Sequence, residues 1–155
     1  MSAPEPTVGT HDLERVTVAD AMHRGVVTCS RDTPLVTVAH LMAAKRIHCV
    51  VVVAAMPDGD VKLCGLVTDR DVLAAAVSGD VADDTAEGCA ATETVTVEPQ
   101  ERLLRAAELM HEHGVTHAVV VLPGTTTPIG VLSAYDVAAV VGKVWPVPRT
   151  SVAAG

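Results

Sequence analysis

Apolar residues recur along this chain with two different periods. From Pro34 to Arg46, Leu35, Val38, Leu41 and Met42 fall on one stripe, which predicts an amphipathic helix with Asp32 and Thr33 as candidate caps. Arg102 to His113 repeats the stripe with Leu103, Ala106, Ala107 and Met110, and Gly114 stands where a helix terminator belongs. After each helix comes a β-branched run without polar alternation, Val50 to Val53 or Val119 to Val121, which predicts a strand covered on both faces. Pro57-Asp58-Gly59-Asp60 and the stretch from Pro123-Gly124 to Pro128 are turn chemistry, so the chain reverses into Lys62 to Val67 and Ile129 to Leu132 and closes a hairpin. A second helix follows each hairpin, from about Asp69 to Val77 and from about Ala134 to Val141. Both are apolar nearly all round, so each needs two neighbours: its own sheet and, we expect, another subunit.

The two halves are copies. At an offset of 68, Thr28 falls on Thr96, Leu35 on Leu103, Ala39 on Ala107, Leu41-Met42 on Leu109-Met110 and Ile47 on Val115. The offset then drops to 65, which sets Gly65 on Gly130, Thr68 on Ser133, Asp71 on Asp136 and Val72 on Val137. The change falls between two apolar runs, where a turn absorbs a loop-length difference. The expected organisation is an α/β (α+β) pair of pseudo-symmetric subdomains, 16–80 and 81–142, each a small three-stranded sheet with two helices, packed through their sheets. Residues 81–90 are the connection, and 1–15 and 143–155 read as tails.

Composition narrows the function. With one Trp, one Tyr and no Phe among 155 residues, the core is aliphatic and there is no set of aromatics for stacking bases. A formal net charge of -8 repels polyanions, which argues against nucleic acid as a partner. The longest uninterrupted apolar run, Cys49 to Met56, is far short of the roughly 20 residues of a membrane helix. The amino-terminal stretch lacks the basic start and apolar segment of a signal peptide. Cys29, Cys49, Cys64 and Cys89 lie far apart with no C-x-x-C pair, which suits free thiols, and a cytoplasmic location is the expectation.

Within the copies, the informative positions are those that stay polar amid aliphatic neighbours: Gly65-Leu-Val-Thr68-Asp-Arg-Asp71 and Gly130-Val-Leu-Ser133-Ala-Tyr-Asp136. A hydroxyl at a helix start with an acid three residues on is a capping arrangement that needs no ligand. The same groups can also receive a phosphate, while the carboxylate one turn along accepts two hydrogen bonds from a ribose diol.

The doubled order of strand, helix, hairpin and helix, closed each time by G-h-h-[ST]-x-x-D, resembles a tandem CBS domain pair over residues 16 to about 142. The resemblance implies clefts for an adenosine-containing ligand such as AMP, ADP, ATP, S-adenosylmethionine or NAD, and a regulatory rather than catalytic role. It implies that Asp71 and Asp136 bind ribose and that Thr68 and Ser133 lie near phosphate. By the same carry-over, Val27-Thr28 and Val95-Thr96 line the adenine, with Ile47, Val50, Val115 and Ala118 as aliphatic walls. Arg70 is the expected phosphate cation, which favours the cleft of Asp71 for a charged tail. The family's Pro at the start of the central strand is replaced by Val51 and Val119, which keep an N–H.

Other classes leave weaker marks. Glu108, His111, His113 and His117, with Cys49 and Cys64, come nearest to a metal set, but His113 is off the Glu108–His111 face and His117 lies beyond the helix. His48 and His117 fall beside the expected clefts, where a protonated imidazole can touch phosphate. For a thiol sensor, Cys29 and Cys89 read as reachable and Cys49 and Cys64 as buried. No nucleophile elbow, G-x-G-x-x-G, Walker loop or H-E-x-x-H occurs, so no enzyme is expected. Two further expectations concern assembly. One is a homodimer through Leu73, Val77, Val137 and Val141, acting on an unidentified regulated protein; the other is a structural dimerisation module with empty clefts.

Overall fold

The computed structural model describes residues 10–90 and 93–145. In chain order the elements are α1 (Thr10–Arg15), α2 (Val18–Ala21), β1 (His23–Arg24), β2 (Thr28–Ser30), α3 (Leu35–Lys45), β3 (Cys49–Ala55), β4 (Val61–Thr68) and α4 (Asp69–Ser78). The second half runs α5 (Ala86–Cys89), β5 (Thr96–Val97), α6 (Leu103–Glu112), β6 (His117–Val121), β7 (Pro128–Ser133) and α7 (Ala134–Val144). One sheet has the order β2-β3-β4 and the other β1-β7-β6-β5. In each, a short first strand pairs in parallel with the central strand, which pairs antiparallel with the hairpin's return strand. The result is the expected α/β pair of small sheets, each with its helices, except that the second sheet has four strands where three were expected.

The halves exchange their leading segments. β1 pairs with β7 of the other half, His23 opposite Val131 and Arg24 opposite Gly130. α5 returns the exchange: Ala86, fully buried, joins the first half's core with Leu35 and Val38. The backbone repeats the swap, since Val16 O accepts from Leu103 N at 2.8 Å and Asp84 O accepts from Leu35 N at 3.0 Å. The first N–H of each long helix is thus satisfied by a distant carbonyl, one of the orphan donors that local caps otherwise serve. Asp32 and Thr33, expected as caps of α3, instead form a local turn in which Ser30 Oγ donates to Asp32 at 2.6 Å and meets Thr33 Oγ1 at 2.9 Å.

The exchange separates packing from chain order. Residues 10–15 are not a tail, because α1 packs on α6 and α7 and buries Leu13. Residues 16–24 pack with the second half although they precede the first, and the connection 81–90, assigned to the second, packs with the first. At the other end α7 runs through Val144, and Trp145 packs on the second core. The rest of the expected tails, 1–9 and 146–155, lies outside the described residues.

The exchange also accounts for the glycines of the repeated motif. A Cβ at Gly130 would run into the Met22 side chain and the His23 carbonyl, and one at Gly65 would lie 3.1 Å from Ala90 Cβ. At Gly130 a bare backbone is required where the borrowed strand crosses; at Gly65 a side chain would crowd the borrowed segment.

Each half has its own aliphatic core, around Leu35, Val38, Val50 and Val67 in one and Leu103, Ala106, Ala118 and Leu132 in the other. A third cluster, Val51, Leu66, Val119 and Val121, joins the two sheets face to face. β3 and β6 are therefore buried on both faces, which is why neither shows polar alternation.

Candidate functional site

Each repeated motif builds the start of a helix beside a cavity. Thr68 is the N-cap of α4; its backbone N–H donates to Asp71 Oδ2 at 2.7 Å and its hydroxyl donates to the same oxygen at 3.1 Å. Ser133 caps α7, donating its N–H to Asp136 Oδ2 at 2.8 Å and accepting from Asp136 N at 3.0 Å. Both are complete capping boxes, so the structural role expected of these four residues is present. The capping leaves the second carboxylate oxygens in different states. Asp71 Oδ1 takes no hydrogen bond among the described residues, whereas Asp136 Oδ1 lies 3.0 Å from His23 Nδ1 and Asp136 is 5% exposed.

The cavities cross the two halves. One, of about 320 Å³, sets Thr68, Arg70 and Asp71 of the first half against Val95, Val115 and Thr116 of the second. The other, of about 430 Å³, sets Ser133 and Asp136 of the second half against Val27 and Ile47 of the first. Both volumes fall in the range of small-molecule sites. Each cavity thus takes its hydroxyl and acid from one copy and most of its apolar wall from the other. His117 lines both, half-buried, with Nδ1 2.9 Å from Thr116 Oγ1.

Four expected lining residues lie elsewhere. Val50 and Ala118 are fully buried in the cores of their own halves, because the alternation of β3 and β6 turns them away from the cavities. Thr28 and Thr96 are exposed on β2 and β5, outside both cavities. Val51 and Val119 use the N–H that a Pro would lack: each donates at 2.9 Å, to Val27 O and to Val95 O.

The charge distribution reverses the expectation. Arg70 shares the Asp71 cavity with a second carboxylate, Glu93. The Asp136 cavity contains Arg24 and Arg46 as well as His23, His48 and His117. Sequence reasoning assigned no role to His23, Arg24, Arg46 or Glu93. The repeat itself held a signal: at the offset of 68, His23, Arg24, Arg46 and His48 fall on Ala91, Thr92, Gly114 and Thr116.

The thiols are also redistributed. Cys64, expected to be buried, is the exposed one, while Cys29, Cys49 and Cys89 are half-buried. Burial pushes the Cys49 thiol up to about 11, with Asp69 and Asp136 adding to the effect, and burial pushes Cys89 up to about 11 as well. Cys29, expected to be reachable, is also raised, chiefly by burial. Among the described residues no group of three or more His, Cys, Asp or Glu side chains could hold a metal ion.

The sequence pattern of the CBS domain matches residues 18–78 and again residues 87–143, together more than half of the chain. The chain belongs to the CBS domain family. It is a tandem CBS pair, and solved structures agree in fold. The CBS domain pair of protein MJ0100, solved in complex with 5′-methylthioadenosine and S-adenosyl-L-methionine, is 18% identical with a TM-score of 0.72, over 83% of this chain and 97% of that one. The CBS domain protein PAE2072 from Pyrobaculum aerophilum, complexed with AMP, is 25% identical with a TM-score of 0.70, over 83% of this chain and 98% of that one. A hexameric CBS-CP12 protein from bloom-forming cyanobacteria is 22% identical with a TM-score of 0.68, over 79% of this chain and 69% of that one. No curated protein matches the CBS pair at a significant level.

Proposed function

We propose that this CBS pair is a regulatory module that binds an adenosine-containing ligand and passes the binding signal to a partner or to its own assembly. One observation carries the reading: each cavity joins a hydroxyl and a carboxylate at a helix start to an aliphatic wall supplied by the other half. A carboxylate is an acceptor for both hydroxyls of a ribose, the aliphatic wall suits a flat base, and the helix N-terminus suits a phosphate. Structures of the same fold were solved with AMP and with methylthioadenosine and S-adenosylmethionine, which supports this ligand class. Regulation rather than catalysis is the role we assign, with the ligand drawn from AMP, ADP, ATP, S-adenosylmethionine or NAD. A cytoplasmic location is part of the same reading. Among the described residues no helix is long and apolar enough to cross a membrane.

The assembly we propose is a homodimer in which the second copy covers α4. Leu73 is 64% exposed and Val77 is 82% exposed, an apolar face without a neighbour in the single chain. Val137 and Val141, expected on the same interface, are half-buried against the second half's core.

Thermal denaturation with AMP, ATP, S-adenosylmethionine and NADH tests the binding. A ligand that binds only the native state adds about 2.7 kcal/mol of stability at a hundred times its dissociation constant, so at least one compound is expected to raise the melting temperature by several degrees. The completed capping boxes favour one competing reading, a structural dimerisation module whose Thr68, Asp71, Ser133 and Asp136 only hold helix ends. On that reading Asp71→Ala lowers the melting temperature and no compound raises it.

A further inference from the structure

The two cavities are built from duplicated sequence, yet their charges have diverged in opposite directions. The lining of the Asp136 cavity holds two arginines and one carboxylate, with Asp69 3.0 Å from the lining His48; the lining of the Asp71 cavity holds one arginine and two carboxylates, of which Glu93 lies 3.8 Å from His113 Nδ1. Among the described residues Arg24 and Arg46 are in no ion pair, a state they share with Arg70, whereas Arg31 and Arg105 are each paired with a glutamate. In a chain of net charge -8, two guanidinium groups lining one cavity are a local concentration of positive charge that attracts an anion.

The backbone at Arg46 supplies an independent observation. Arg46 closes α3 in the left-handed region, at φ 53° and ψ 47°, and is the one non-glycine with positive φ among the described residues. Its counterpart in the other half, Gly114, has φ 62° at the same turn. The two turns share one closing bond, Ile47 N donating to Met42 O at 3.1 Å and Val115 N to Met110 O at 3.0 Å, and differ in the preceding one, where Arg46 N donates to Met42 O and Gly114 N to His111 O. The fold therefore accepts glycine at this position, and glycine is the residue that such a turn ordinarily selects. An arginine there carries a backbone cost with no structural return, and its side chain stands at the cavity.

We infer that the Asp136 cavity takes the charged tail of a nucleoside polyphosphate, a di- or triphosphate, with Arg24 and Arg46 as the phosphate-binding groups. The inference rests on the proposed adenosine binding and assigns the anion to the cavity opposite the one that Arg70 suggested. The ribose acid is Asp136, whose Oδ1 is held by His23 in the single chain. A diol arriving at that oxygen displaces the His23 ring, which then adds a third donor beside the phosphates. Arg24 reaches the site through the same exchanged strand, β1, so its share of the anion subsite exists only when the leading segment of one half is seated on the other. The Asp71 cavity, lined by Glu93 as well as Asp71 and Arg70, suits a polyphosphate less well and an adenosine compound without one better.

Isothermal titration of the purified full chain with ATP and with adenosine separates the possibilities. Arg46→Gly installs the residue that the twin turn already carries, so its melting temperature is expected to equal or exceed that of the unchanged chain. ATP affinity is expected to fall about tenfold or more in Arg46→Gly and again in Arg24→Gln, with adenosine affinity unchanged and Arg70→Gln without effect on ATP. ATP binding undiminished in both Arg46→Gly and Arg24→Gln, or lost in Arg70→Gln instead, overturns the inference and leaves adenosine binding standing. Failure of both ATP and adenosine to bind the unchanged chain overturns the binding reading and the inference with it.

Discussion

His117 shows how burial at one residue couples the site to pH. It lies at the start of β6 between the two cavities, and burial holds its imidazole below the usual 6.5; nearby His48 lowers it further, while Asp69 and Asp136 act in the opposite sense. A base whose native pKa is depressed takes up fewer protons than the unfolded chain, so stability is fully present above about 6.5 and declines as pH falls through that value. Urea midpoints measured between pH 7.5 and 5 are expected to fall with acidification, and His117→Gln to flatten the decline. An equal slope in the variant assigns the pH dependence to other groups. At this scale the sequence was legible wherever a role is local. Thr68 with Asp71, and Ser133 with Asp136, are found in the chain because a capping box needs only its own turn. His23 and Arg24 were not legible, because they reach Asp136 through a strand pairing that spans more than a hundred residues.

At the scale of elements, periodicity located α3, α6, β3, β4, β6 and β7 to within two or three residues at each end, because each buries a continuous stripe or run. The short segments escaped it. α1, α2, β1 and α5 are two to six residues long, and nothing in their own pattern says which half they pack against. Their seating depends on bare backbone at the strands they cross. Gly130→Ala is expected to force β1 off β7 or to strain it in place, at a cost of about 1–3 kcal/mol, typical of an added methyl in a closed space. Chemical denaturation measures the loss. Because β1 carries His23 and Arg24, the same variant is expected to weaken ATP binding more than adenosine binding, an outcome that plain destabilisation does not produce.

For the whole molecule, two sheets meet through Val51, Leu66, Val119 and Val121, and the exchanged segments tie each half to the other. The exposed apolar face of α4 stands outside this arrangement. Sedimentation at micromolar concentration is expected to show a dimer, and Leu73→Glu with Val77→Glu to give a folded monomer, since both side chains are exposed in the single chain and a charge there meets only water. A monomer in the unchanged chain removes the proposed interface. A double variant that stays dimeric moves the interface to another face.

By itself the sequence determined the duplication, the long elements, the aliphatic core and the acid and hydroxyl of each motif. All of these are set by contacts within a turn, a stripe or a hairpin, so they leave a period or a spacing that can be read. Only the tertiary structure decided which half each leading segment packs against, that Val50 and Ala118 belong to the cores, and that the arginines gather around Asp136. Those outcomes depend on which surfaces close over one another in space, and pairing between residues distant in the chain leaves no local period behind.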